Sequence, residues 1–163
     1  RRNSVRADVE YHVDQGGGCV SGYTYSGHTT ACAAALKTIE IYERDKLFEH
    51  AATVGAYMQS GLHNFADHPL VGHVRGKGLI GAIELVADKK TRTPFPDASI
   101  GALLKQTCQD HGLLIRAVGG NCIAFCPPLI ITEPQIDEML ELFSKALTEV
   151  LVYANAQGLL TTR

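Results

Sequence analysis

Leu70-Val71-Gly72-His73-Val74-Arg75-Gly76-Lys77-Gly78-Leu79-Ile80-Gly81-Ala82-Ile83-Glu84-Leu85-Val86 is the stretch in which the hydrophobic period changes. Before it, apolar residues recur every three or four positions. Within it, Val71, His73 and Arg75 fall on one side of a strand, Gly76-Lys77-Gly78 supplies a break, and Leu79 to Val86 reads as a second strand. Two strands this close predict an antiparallel hairpin, and a sheet built on it needs helices to cover its apolar face.

The cover lies on both sides of the hairpin. Upstream, residues 45 to 66 place Leu47, Ala51, Val54, Met58, Leu62 and Phe65 at spacings of three and four, one apolar stripe of a helix. Before that, Ser26-Gly27-His28-Thr29 introduces an alanine-rich helix through Arg44, whose small side chains permit close approach of a neighbour. Residues 1 to 21 alternate at Val5, Ala7, Val9, Tyr11 and Val13 and end in Gly16-Gly17-Gly18, the pattern of a short strand or irregular tail. Downstream, Asp97 caps a helix carrying Ile100, Leu103, Leu104 and Cys108, and Gly112 ends it. Leu113 to Arg116 reads as a strand. Gly119-Gly120-Asn121 turns the chain into Cys122 to Phe125, and Pro127-Pro128 ends the pairing by removing backbone donors. Thr132-Glu133-Pro134-Gln135 forms a capping box for a long helix with Ile136, Met139, Leu140, Phe143, Leu147, Val150 and Leu151 inward. The tail after Ala156 is expected to fray. Two helices, a strand pair, a helix, a strand pair and a helix predict an α+β fold with an antiparallel-rich sheet covered by helices.

Composition bounds the function. The 163 residues suffice for one domain with its own core. The 15 basic and 17 acidic residues are interspersed, giving a net charge of -2 and no basic stripe, so nucleic acid is not an expected partner. No apolar run approaches the roughly 20 residues of a membrane span. Five cysteines, at 19, 32, 108, 122 and 126, form no CxxC pair or regular framework. Cys122 and Cys126 on one strand would stand about 13 Å apart, too far to share a metal. Packed thiols in a reducing cytoplasm are the expectation, with no metal site. The N-terminus has no secretory h-region and no initiating Met, which suggests a processed chain or a piece of something longer.

Three segments carry a resemblance. Gly22-Tyr23-Thr24-Tyr25-Ser26-Gly27-His28 before the alanine-rich helix resembles the segment of class III (omega-type) aminotransferases that closes the phosphate end of the cofactor site. Oriented hydroxyl and N–H donors on a glycine-punctuated loop suit a dianionic phosphate. Gly112-Leu113-Leu114-Ile115-Arg116, followed by Cys126-Pro127-Pro128-Leu129-Ile130-Ile131-Thr132-Glu133, is similar to the segment bearing the family's carboxylate-binding arginine. A planar guanidinium holds a carboxylate through two parallel hydrogen bonds, where lysine offers a point charge. Val74 to Leu85, continuing to Thr91-Arg92-Thr93-Pro94-Phe95, is similar to the family's small-domain hairpin, with Arg75 and Lys77 expected at a solvated or interdomain edge. Two positions depart from the family: Thr29 stands where proline is usual, and Ser21 where histidine is frequent.

The resemblance implies the C-terminal small domain of a fold-type I transferase over 45-163, and the end of the cofactor domain with an interdomain helix over 1-44. It implies pyridoxal 5'-phosphate as cofactor, Thr24 reaching the cofactor phosphate of the partner subunit in a cytoplasmic homodimer, and Arg116 on the substrate carboxylate, able to swing aside for an apolar substituent. The reaction implied moves an amino group between an amine or amino acid and a keto acid, although decarboxylating and mutase relatives share the small domain. The family's cofactor-binding lysine and its acidic partner lie upstream of the threonine loop. No lysine precedes Thr24 here, the first being Lys37, so this chain reads as the C-terminal part, with no catalytic lysine of its own and no expected activity alone. The rival reading is a non-catalytic α+β binding or interaction module with Arg116 as a surface residue. The histidines at 12, 50, 63, 68, 73 and 111 share no spacing, and His28 reads as a cap or loop contact; none is assigned catalysis.

Overall fold

The structure, a computed structural model, describes Thr24 and residues 26–160. The alternation expected over 1 to 21 lies outside the described residues. The chain divides between Arg44 and Asp45 into two units. The first contributes helix α1, Thr29–Arg44, which buries none of its side chains.

The second unit is an antiparallel sheet with helices on one face. Helix α2, Leu47–His63, is followed by a 3-10 turn, Asn64–Asp67. The hairpin then forms from β1, Val71–Lys77, and β2, Ile80–Asp88. Its turn is tighter than the glycines suggest: Gly76 and Lys77 remain paired, and only Gly78 and Leu79 turn, with Gly78 at φ 57°. The short β3, Thr93–Pro94, pairs with β2. Helix α3, Ser99–Asp110, leads to β4, Arg116–Val118, and β5, Cys122–Phe125, before the long helix α4, Glu133–Ala156. The strand order is β1-β2-β5-β4, all antiparallel.

Three expectations need correcting. Leu113 to Ile115 is unpaired and the strand starts at Arg116, because β5 ends at Phe125 and Pro127-Pro128 beyond it have no N–H to offer. Asp97 is not the capping residue of α3; that position is Ala98, and Asp97 instead accepts the N–H of Ser99 at 2.9 Å. The chain after Ala156 does not fray at once. Gly158, at φ 64°, lets Leu159 N–H return to the Ala154 carbonyl at 2.9 Å, and Leu160 packs against the core.

Gly112 ends α3 as expected: at φ 89° it donates to Gln109 O, while Leu113 donates to Cys108 O. At the start of α4 the capping box forms between Thr132 and Gln135. The core lies between sheet and helices. Phe143 of α4 is fully buried and meets Phe65 and Phe125 edge-on, with ring centroids 5.1 and 5.0 Å away. Glycine decides two approaches. A Cβ on Gly55 would lie 2.5 Å from the Gly78 backbone, and one on Gly101 would strike the Gly120 carbonyl, so α2 and α3 both rest directly on hairpin turns. Gln59 fastens the first approach by donating to the carbonyls of Gly78 and Ile80 at 2.8 and 3.0 Å. Among the described residues no helix is long and apolar enough to cross a membrane.

Candidate functional site

Register decides which side chains share the open face of the sheet. Val74, Ile83, Ile123 and Ala117 lie side by side across four strands and face the helices. The next row, Arg75, Ala82, Ala124 and Arg116, therefore points the other way, as does the row His73, Glu84, Cys122 and Val118. Arg116 opens the edge strand β4, is exposed, and makes no ion pair among the described residues. A cleft of about 280 Å3, which Arg116 does not line, lies where the chain enters β4, among apolar groups that include Leu114, Ile115, Phe125, Pro127 and Met139; Phe125 and Met139 belong to the core on the helix-covered side. The floor next to Arg116 is low, because Ala124 and Ala82 are its neighbours along the row.

At the opposite edge, Arg75 is engaged. Its Nη1 donates to Glu84 Oε2 at 2.7 Å and to His73 Nδ1 at 3.3 Å, and its Nη2 lies 3.5 Å from Cys122 Sγ. The hydrogen bond to Glu84 raises the guanidinium pKa further above its ordinary value. Expected as a plain edge residue, Arg75 is the centre of a polar cluster. The missing signal was register: side chains at 73, 84 and 122 share a face only once three strands are aligned.

Thr24 belongs to the other unit and is exposed in a turn. Gly27, at φ 77°, follows, and His28 Nδ1 accepts the N–H of Ala31 at 3.3 Å, which caps α1. The first turn of α1 holds no acidic residue. Lys37 is bound to Glu40 at 2.9 Å on the exposed surface of α1, and Lys77 is exposed at the end of β1. The histidines of the second unit hold structural contacts: His50 to Ile131 O at 2.8 Å, His63 to Gln59 O at 2.7 Å, and His111 to Glu149 at 2.8 Å.

Residues 3–147 match the family described as Aminotransferase class-III. The chain belongs to the class-III aminotransferases. This family uses pyridoxal phosphate, and its sheet-and-helix architecture is that of fold-type I transferases. Among class-III relatives, the chain is 43% identical over 146 residues to the putrescine–pyruvate aminotransferase of Pseudomonas aeruginosa. It is 40% identical over 129 residues to gamma aminobutyrate transaminase 1, mitochondrial, of Solanum lycopersicum. These matches take in 89% and 78% of the chain but only 32% and 25% of the relatives. The omega transaminase of Pseudomonas jessenii, solved in complex with PMP, superposes with a TM-score of 0.77 at 39% identity, over 90% of this chain and 32% of that one. A solved transaminase with L-Ala gives 0.77 at 40% identity, over 92% and 35%.

Proposed function

We propose that this chain is the C-terminal portion of an enzyme that transfers an amino group between an amine or amino acid and a keto acid. In this reading residues 45–163 are its small domain, and residues 1–44 are the end of its cofactor domain with the interdomain helix. The observation that carries the proposal is Arg116: an exposed guanidinium without an anionic partner among the described residues, on a low floor of alanines on the open face of the sheet. That arrangement suits two kinds of substrate group. A carboxylate takes the guanidinium fork through two hydrogen bonds, and an apolar substituent rests on the alanine floor when the arginine lies aside.

Thr24 is the phosphate contact in this proposal. Its exposed hydroxyl, the turn at Gly27 and the carboxylate-free first turn of α1 offer donors and no repulsion to a dianion. Bound pyridoxal phosphate supplies the electron sink of the reaction; the chain's own part is to hold its phosphate and orient the substrate. Thr24 would serve the partner subunit's cofactor in a cytoplasmic homodimer. The four described cysteines are all free, which suits a reducing compartment.

Arg116→Lys in the enzyme that contains this chain is the test. Lysine keeps the charge and loses the fork, and a hydrogen bond to a charged group is worth about 1.5–3 kcal/mol. The kcat/KM for a carboxylate-bearing acceptor should fall roughly 10- to 100-fold. An amine donor without a carboxylate should change far less. Equal losses for both substrates, or none for either, would take Arg116 out of the site.

A further inference from the structure

A second cleft, of about 230 Å3, lies at the β1 edge of the sheet, three strand spacings or roughly 14 Å from Arg116. Gly72, His73, Glu84, Val86 and Arg92 line it. A bulge in β1 makes the space: the register steps from Val71↔Leu85 to His73↔Glu84, leaving Gly72 without a partner. A side chain at 72 would strike Val86, so the apolar floor depends on glycine there. The opposite wall is the loop after β2. Asp88 fixes that loop by accepting the N–H groups of Lys90 at 2.8 Å and Thr91 at 3.2 Å, and Arg92 follows at φ 55°, a conformation uncommon for arginine.

The charges around this cleft do not cancel. Glu84 is neutralised by Arg75 at 2.7 Å. His73 Nδ1 faces the Arg75 donor, which leaves Nε2 as the ring nitrogen available to donate. Arg92 has no anionic partner among the described residues and is exposed. One uncompensated guanidinium, one imidazole N–H and an apolar floor of Val86 and Gly72 remain. We infer that this cleft binds a small organic monocarboxylate, its charge held by Arg92 and His73 and its short apolar body resting on Val86. A dianion such as phosphate would carry one negative charge more than the single uncompensated guanidinium can match, and the volume is below the ~300 Å3 at which pockets for larger ligands begin. The inference goes beyond the proposed transfer reaction and does not depend on Arg116.

The test is an amide NMR titration with sodium propionate at constant ionic strength, on the 163-residue chain carrying Leu36→Glu and Ile39→Lys, two exposed α1 positions outside the cleft whose apolar side chains would otherwise favour self-association. Propionamide and inorganic phosphate serve as the neutral and dianionic comparisons. Propionate should shift the Gly72, His73 and Arg92 resonances saturably, with a dissociation constant on the order of millimolar. Propionamide should not. Asparagine tolerates a left-handed backbone, so Arg92→Asn removes the charge while keeping the loop, and it should weaken propionate about tenfold or more. Arg92→Gln should act alike, and Lys145→Gln, an exposed position outside both clefts, should leave binding unchanged. Any of four results overturns the site: no saturable shift up to about 100 mM, equal shifts with propionamide, tighter binding of phosphate than of propionate, or binding kept in both Arg92 variants.

Discussion

His68 shows how one side chain ties stability to pH. It sits at the entrance to β1, half-buried, and its Nδ1 accepts the N–H of Leu70 at 3.2 Å. Burial, with Lys89 close by, holds its pKa below the ordinary 6.5. Lys89 is kept there by donating to the carbonyls of Ala66 and His68. The unfolded chain therefore binds a proton that the folded chain declines. The stabilising contribution is complete above 6.5 and is lost as pH falls through the lower, folded value. Urea midpoints should drop between about pH 7.5 and about pH 5, and His68→Gln should flatten that drop. If the variant loses stability as steeply as the parent chain, some other group is responsible. Cys108 contrasts with it: burial pushes its thiol up to about 12, so it stays neutral and acts as a core residue.

The helix α4 joins a local device to a tertiary one. Its start is set by four consecutive residues, Thr132 to Gln135, and Thr132→Ala should cost about 1 kcal/mol by loss of the cap. Its middle is held by Phe143, which is 0% exposed and packs edge-on against Phe65 from the 3-10 turn and Phe125 from β5. Phe143→Ala opens a cavity among three elements and should cost about 3–5 kcal/mol, a large share of the ~5–15 kcal/mol that holds a domain together. Urea denaturation of the two variants checks the ratio. A Phe143→Ala penalty no larger than that of Thr132→Ala would mean that the aromatic cluster is not the centre of the core. The capping box could be read from the sequence, and so could the inward stripe of α4. That Phe143 meets Phe125 could not, because nothing local connects a helix to a strand eighteen residues before it.

At the scale of the whole chain, α1 stands out among the described helices by its exposure. It buries no side chain and shows Leu36 at 69% and Ile39 at 54% exposure. The 163-residue chain should self-associate through these side chains at a loading of roughly tens of micromolar, and Leu36→Glu combined with Ile39→Lys should shift it toward monomer. Sedimentation velocity distinguishes the outcomes, and a parent chain already monomeric at that concentration removes α1 as the cause. The same preparation, mixed with pyridoxal phosphate and dialysed, should retain no cofactor absorbance. No lysine precedes Thr24, and Lys37 is well hydrated and paired with Glu40. Retained absorbance that maps to a single lysine would contradict the proposed division of labour.

The order of elements was legible in the sequence because it is written in local terms: period three to four for α2 and α4, alternation around the β1–β2 turn, Gly112 at the end of α3, and Thr132 at the start of α4. The class-III segments around Thr24, Arg75 and Arg116 were legible for the same reason, each being contiguous. Tertiary structure alone decided where β4 begins, since a strand exists only opposite a partner and β5 stops at Phe125. It also decided that Arg75 meets Glu84, His73 and Cys122, and that Arg92 closes a cleft over Gly72. Those groupings depend on register, set jointly by a two-residue turn, a bulge and the packing of one face. A one-residue slip in any of them would send the same side chains to the opposite face.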